Sequence, residues 1–407
     1  MPFFKLPDES AGALYWEVFN REDQKGTDGL DRAKETVLFL PTLLGHIGFL
    51  RPQYQDATLR SRYNLIGVEP RHIGRSHAHP LPQYDSVVAA ADLAFFLDSL
   101  NLPGVHVFSP QATSNPLALR LACLFPERVL SLTMIGPNPV NERERSPEKA
   151  DVYDSMVQAW GTGQDPEMWA EATHELQVMV FSEQPPDKDE VDLWAHHQGV
   201  RIRYQPLDHF TFSVNHLYRK GIPLKTLAAI KCPVLLITGT DDLYASEVEW
   251  YQEHLTGAQV SSFTVEGAPH GASIVAPNLV NRSFFKFLTN NPWQAEVALQ
   301  PVKSDFASHL ARLPSMTRDD LDMTGRDPNS PISFSVKTPE EVEALRAQLE
   351  QMMQQAPPKP RVAWGIGGPI YDQDASKMKY RFTERYDEMP SVGPDAPDAD
   401  LDLKSGE

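Results

Sequence analysis

Between Thr36 and about Lys286, short apolar runs alternate with segments of helical periodicity, and this rhythm narrows the possible folds more than any other feature. Val37–Leu40, Asn64–Val68, Val105–Phe108, Ser131–Ile135, Val234–Thr238 and Val260–Val265 read as buried strands, and several are closed by Pro or Gly. Asp85–Leu102 carries Val87, Val88, Ala91, Leu93, Phe96 and Leu97 at helical spacing. Leu117–Leu124 and Asn278–Leu288 read as further helices. Strands alternating with helices make βαβ units, which build a parallel sheet covered on both faces. Such sheets bind ligands beyond the carboxyl ends of their strands, so the residues just after each strand are the candidates for chemistry. Tyr15–Phe19, aromatic and β-branched, is expected to supply an antiparallel edge hairpin.

The alternation stops between about Asn141 and Lys231, a stretch rich in Trp, His, Glu and Gln with helical spacing in Tyr153–Trp160 and Trp169–Phe181. It reads as a helical insertion over the sheet ends. Its aromatics (Trp160, Trp169, Trp194, Phe210, Phe212) either line a pocket or pack the insertion onto the core. The expected organisation is a core of residues 1–140 and 232–290, a helical cap of residues 141–231, and a C-terminal extension of residues 291–407. Within the extension, Thr338-Pro-Glu-Glu341 is a capping box that predicts a helix over 338–355, ended by Pro357–Pro358. The end, Asp387–Glu407, carries seven acids against one lysine and is expected to be disordered.

Four stretches, in this order, resemble the α/β-hydrolase family. Glu69 to Ser76 (EPRHIGRS) is similar to the family's Asp-x-Arg-Gly-x-Gly-x-Ser loop. Leu119 to Val129 (LRLACLFPERV) resembles the helix behind the nucleophile and its Pro-Glu-Arg-Val ending. Pro233 to Asp242 (PVLLITGTDD) resembles the strand and turn that carry the acid, and Gly267 to His270 (GAPH) the loop that carries the histidine. The resemblance implies an α/β-hydrolase fold with a mostly parallel sheet, and it assigns Asp242 and His270 to the acid and base positions. In a triad of this kind the carboxylate holds the imidazole in its tautomer, and the imidazole takes the proton of a serine on a sharp strand-to-helix turn.

That turn departs from the family pattern Gly-x-Ser-x-Gly. The segment is Ser109-Pro-Gln-Ala-Thr-Ser-Asn115. Counting forward from Val105–Phe108 places the serine slot at Gln111, and counting back from Leu119–Ala122 places it at Ala112. Neither side chain can attack a carbonyl. Ser114 has two readings, a displaced nucleophile or an N-cap ahead of Pro116. The family's His-Gly after the first core strand is replaced by Pro41–Thr42. Thr42, Leu43, Gln111, Ala112 and Thr113 are therefore the expected substrate-facing residues, with Leu43 and Thr113 as backbone donors. His46, His72 and Ser76 stand near the same sheet end and read as loop residues.

A net charge of -18 argues against nucleic acid or an anionic membrane surface as partner. No apolar run approaches the ~20 residues of a membrane span, and Met1–Ser10 lack the pattern of a secretory signal. Cys123 and Cys232 cannot make a disulfide framework and read as small buried hydrophobes in a reducing, cytoplasmic setting. No Cys/His spacing suggests a metal, and no cofactor is implied. The expected partner is a small organic molecule, with oligomeric state left open. Three functions compete: a His270–Asp242 acid/base enzyme without a serine, a serine esterase or acyl-transfer enzyme using Ser114, and a ligand-binding protein without catalysis. The resemblance implies small-molecule esters, lactones or secondary metabolites as substrates of the second kind.

Overall fold

A computed structural model of the chain describes residues 3–7, 12–19, 29–42, 45–71, 73–76, 81–147, 151, 154–155, 166–181, 219–290, 299–355, 362–365, 368–371 and 404–405. The apolar runs form β3 (Thr36–Phe39), β4 (Asn64–Glu69), β5 (Val105–Pro110), β6 (Val129–Ile135), β7 (Val234–Gly239) and β8 (Val260–Val265). β1 (Phe3–Lys5) and β2 (Ala13–Val18) precede them as an antiparallel hairpin. With β11 (Lys404–Ser405) they make one nine-stranded sheet in the order β1-β2-β4-β3-β5-β6-β7-β8-β11. β4, β3, β5, β6, β7 and β8 run parallel, and the strands outside them are antiparallel. Beyond this sheet, β9 (Val362–Gly365) and β10 (Gly368–Tyr371) form a two-stranded hairpin.

The two faces of the sheet follow the two-residue period of a strand. Leu38, Val107, Leu132 and Leu236 point into one apolar cluster with the helices Ser86–Ser99 and Gln111–Leu124. Val37, Phe39, Phe108, Leu235 and Ile237 point into the other, against the helix Pro277–Asn290. β3, β4, β5 and β7 are buried along their whole length, which is why they read as mainly apolar runs. β8 lies beside the edge, with Val260, Ser262 and Val265 buried and Ser261, Phe263 and Thr264 at least partly exposed.

The loop after β4 is locked to the following helix by a buried ion pair. Arg71 Nε and Nη2 donate to the two carboxylate oxygens of Asp92 at 2.6 and 2.7 Å, and neither residue is more than 2% exposed. Ser76 ties the same loop to β4 and β2, since its hydroxyl donates to the Glu69 carbonyl and accepts the Tyr15 N–H at 2.8 Å.

The extension is a strap laid along the core helices. Its helix Phe306–Met316, which the sequence reading did not anticipate, buries Leu310 and Leu313. Phe306 stacks on Phe95 at 3.8 Å, and Phe125 meets the rings of Phe306, His309 and Phe334. Polar bonds fix the register: Arg128 Nε donates to Ser304 Oγ at 2.8 Å, and the Val336 N–H to Asp85 Oδ2 at 2.8 Å. The helix Pro339–Gln355 begins with reciprocal bonds between Thr338 and Glu341, 2.8 and 3.1 Å long. Of the acidic tail only Lys404–Ser405 are described, and they pair with Ser261 and Ser262 of β8. Most of Tyr153–Trp160, and the side chains of Trp169, Trp194, Phe210 and Phe212, lie outside the described residues.

Removing one partner of a buried ion pair strands the other charge. Asp92→Ala is therefore expected to lower stability by about 3–5 kcal/mol, read as a shift in the urea midpoint; a loss below about 1 kcal/mol would show that the lock is not structural.

Candidate active site

Five turns meet at the carboxyl edge of the parallel strands. β7 ends at Gly239 and delivers Asp242, and the loop after β8 delivers His270. His270 Nδ1 lies 3.0 Å from Asp242 Oδ1. The same carboxylate oxygen accepts the Tyr244 N–H at 2.8 Å, while Oδ2 accepts the Thr238 hydroxyl at 3.2 Å. Burial alone would raise the Asp242 carboxyl; the neighbouring His270 and these hydrogen bonds outweigh it and hold the group below the usual carboxylate range. Asp242 is therefore an anion placed to accept a proton-bearing Nδ1, leaving Nε2 to face outward from the pair.

His270 is 1% exposed, and its Nε2 has no hydrogen-bond partner among the described residues. The edge of Tyr244 packs against the imidazole at 5.5 Å. Gly136, at the end of β6, has a φ of 55°, and a Cβ there would stand 2.8 Å from both His270 Nδ1 and the His270 carbonyl. Gly271, next to the histidine, donates its N–H to the carbonyl of Val180 at 2.8 Å, near the end of the helix Pro166–Phe181 from the insertion. This backbone bond joins the segment between β6 and β7 to the residue that follows His270.

The strand-to-helix turn after β5 places Gln111 at its apex. Gln111 is the first residue of the helix Gln111–Leu124, is fully buried, and has a φ of 64°. A side chain other than Gly in that left-handed region carries strain of about 1–3 kcal/mol. The forward count therefore locates the turn, and the backward count to Ala112 falls one residue too far along. Gln111 Nε2 reaches toward His270's loop, lying 3.1 Å from where a Cβ on Gly271 would stand.

Ser114 is neither at the apex nor an N-cap. The N-cap is Pro110, and Ser114 sits in the first turn of the helix with its hydroxyl donated to the Pro41 carbonyl. Pro116 lies inside the helix rather than at its start. Asn115 pins this turn to the sheet, accepting from Ser109 Oγ at 2.8 Å and donating to the Gly136 carbonyl at 2.9 Å.

Thr42 is fully buried beyond β3, and its Oγ1 has no partner among the described residues. Ala112 and Thr113 occupy the first helical turn, where backbone N–H groups lack acceptors within the helix. Leu43 and His72 lie outside the described residues. His46 caps a short turn, with Nδ1 accepting the Gly48 N–H at 3.0 Å. Burial pushes the thiols of Cys123 and Cys232 up to about 12, so neither supplies a thiolate near neutral pH. Among the described residues no group of three His, Cys, Asp or Glu is placed to hold a metal ion, and no helix is long and apolar enough to cross a membrane.

Sequence reasoning missed Gly136, Gly271, Thr238, Tyr244 and Val180 as residues that position the pair. Gly136 and Gly271 carried a faint signal, one as a strand terminator and one as the neighbour of His270. Val180 carried none, because its contribution is a carbonyl. Gly136→Ala is expected to destabilise the protein by about 1–3 kcal/mol and to displace the imidazole from Asp242. An unchanged unfolding midpoint would show that the close approach at Gly136 is not needed.

No family model matches the sequence. Solved structures match its fold. A thermophilic esterase from Thermogutta terrifontis superposes with a TM-score of 0.54 over 71% of this chain and 97% of its own, at 15% identity. The enol-lactonase from Burkholderia xenovorans gives a TM-score of 0.53 over 71% of this chain and 100% of its own, at 16% identity. An α/β-hydrolase enzyme from a Medee basin deep-sea metagenome library gives 0.56 over 72% and 98%, at 15% identity. With its mostly parallel sheet and flanking helices, the chain has the α/β-hydrolase fold.

Proposed function

We propose that the chain is an enzyme acting on a small organic molecule by proton transfer, with His270 as acid/base and without a serine nucleophile. The observation that carries this reading is the strained turn at Gln111. The backbone keeps a conformation that favours glycine, yet presents an amide where attack on a carbonyl would need a hydroxyl or thiol. Decay of a disused turn would be expected to relax that strain.

In this reading His270 Nε2 takes a proton from a C–H or O–H acid of the substrate, or from a water. The imidazolium formed is stabilised by the Asp242 carboxylate through Nδ1. The negative charge left on the substrate oxygen accepts hydrogen bonds from the Gln111 amide and from N–H groups of the first helical turn at Ala112 and Thr113. The proton then returns from Nε2 to the product. The buried setting and the insertion's bond at Gly271 favour a site from which water is largely excluded. Isomerase and lyase chemistry follow this course. The likeness to esterases and a lactonase supports a substrate bearing a carbonyl or carboxyl group. The Ser114 reading requires the bond to the Pro41 carbonyl to break and the hydroxyl to leave the first helical turn.

A fluorophosphonate probe, which modifies activated serines, is expected to leave the wild-type protein unlabelled and to label Gln111→Ser, where a hydroxyl is placed at the apex beside His270. Labelling of the wild type that disappears in Ser114→Ala would overturn the proposal in favour of a hydrolase. Once a substrate is found, His270→Ala is expected to lower kcat by roughly 10²–10⁴-fold, and an unchanged rate would remove the base.

A further inference from the structure

The two ends of the nine-stranded sheet are built differently. β1, at one end, has three residues, Phe3–Lys5, and finishes on an exposed lysine. Short length and a charge are ordinary means of keeping a sheet edge from pairing with another chain. Toward the other end, β8 has six residues, Val260-Ser-Ser-Phe-Thr-Val265, with no charge, proline or glycine among them. Val260, Phe263, Thr264 and Val265 are β-branched or aromatic, a composition that favours strand pairing. The inner side of β8 is fully used, since its whole length is in register with Val234–Gly239 of β7.

The outer side of β8 is covered by β11, two residues of the acidic tail. Lys404 stands opposite Ser262 and Ser405 opposite Ser261, in antiparallel register. Among the described residues no strand lies beside Phe263 and Thr264 on that side. So short a strand is weakly held, because the backbone entropy lost in fixing it is of the same order as its hydrogen bonds return. The tail supplies the charges that β8 lacks. Lys404 is itself charged, and Asp402 and Glu407 each lie two residues from the strand. While β11 is seated, each copy of the chain therefore tethers acids at its edge.

We propose that the outer edge of β8 is a self-association surface guarded by β11. When the tail strand leaves, β8 pairs with β8 of a second copy, and one sheet runs through a two-fold dimer. The direction of pairing fits. β11 shows that the edge accepts an antiparallel strand, and a two-fold axis normal to the sheet brings β8 to β8 in that sense. Because β8 is uncharged, pairing with itself sets no like charges opposite one another. Departure of β11 also withdraws the acids of the tail from the edge. The assembly closes at two copies, since each contributes one outer edge of this kind and β1 is short and charged. The proposal concerns the edge of the sheet and does not rest on the proposed reaction.

Light scattering coupled to size exclusion, on the full chain over a series of concentrations at physiological ionic strength, tests the proposal. The double variant Lys404→Pro with Ser405→Pro lacks the N–H groups that a ladder needs, so its tail cannot pair with β8. It is expected to dimerise about tenfold or more tightly than the wild type. Adding Thr264→Lys, at an exposed position of β8, is expected to return the double variant to a monomer. Circular dichroism establishes that each variant is folded, and Ser261→Lys replaces Thr264→Lys if the latter does not fold. Dimerisation of the double variant no tighter than that of the wild type, or undiminished by the folded β8 variant, would overturn the proposal. Dimerisation weaker in the double variant than in the wild type would also overturn it, and would point to tails exchanged between copies.

Discussion

The parallel run of β4, β3, β5, β6, β7 and β8 is the constraint from which the rest of the molecule follows. Because these strands share one direction, the turns that leave β3, β5, β6, β7 and β8 open on one edge, and side chains far apart in sequence meet there. Asp242 and His270 are separated by 28 residues and meet at 3.0 Å because β7 and β8 are neighbours in register. Gly136, from the strand on the other side of β7, leaves the space that the imidazole fills. The Val180 carbonyl then closes the arrangement from the insertion. The geometry of the pair is thus a property of the sheet as much as of the two residues.

Strain at Gln111 is the second organising feature. Elsewhere the described backbone gives positive φ to glycines and, among other residues, only to Asn101 and Gln111. Asn tolerates that region through its short polar side chain, whereas Gln has no such dispensation. The strain is sustained by fixed surroundings: Asn115 ties the first helical turn to the end of β6, and Ser114 ties it to Pro41. Ser114, which the sequence offers as a nucleophile or a cap, and Asn115 hold the turn in place by side-chain bonds to backbone carbonyls.

The alternation of strands and helices was legible because burial on both faces leaves strands such as β3 and β7 almost entirely apolar. Asp242 and His270 were legible because the segments around them keep the wording of a known family. The turn at Gln111 was only half legible. Its serine and glycines are replaced, and Pro116 suggested a helix start at Leu117 when the helix already begins at Gln111. The strap from Val302 to Gln355 was illegible apart from the capping box at Thr338. Its helix at Phe306 is short and interrupted by Pro314, and its purpose appears only when Phe95 and Phe125 are seen to need cover.

The central claim is that His270 is a preformed base, its Nδ1 proton held by Asp242 and its Nε2 left to act. Nitrogen-15 NMR of the histidine rings, in wild type and Asp242→Asn, reads this directly. The account predicts a strongly hydrogen-bonded Nδ1 proton on His270 that Asp242→Asn removes or weakens. A proton found on Nε2, or a ring indifferent to Asp242→Asn, would contradict it.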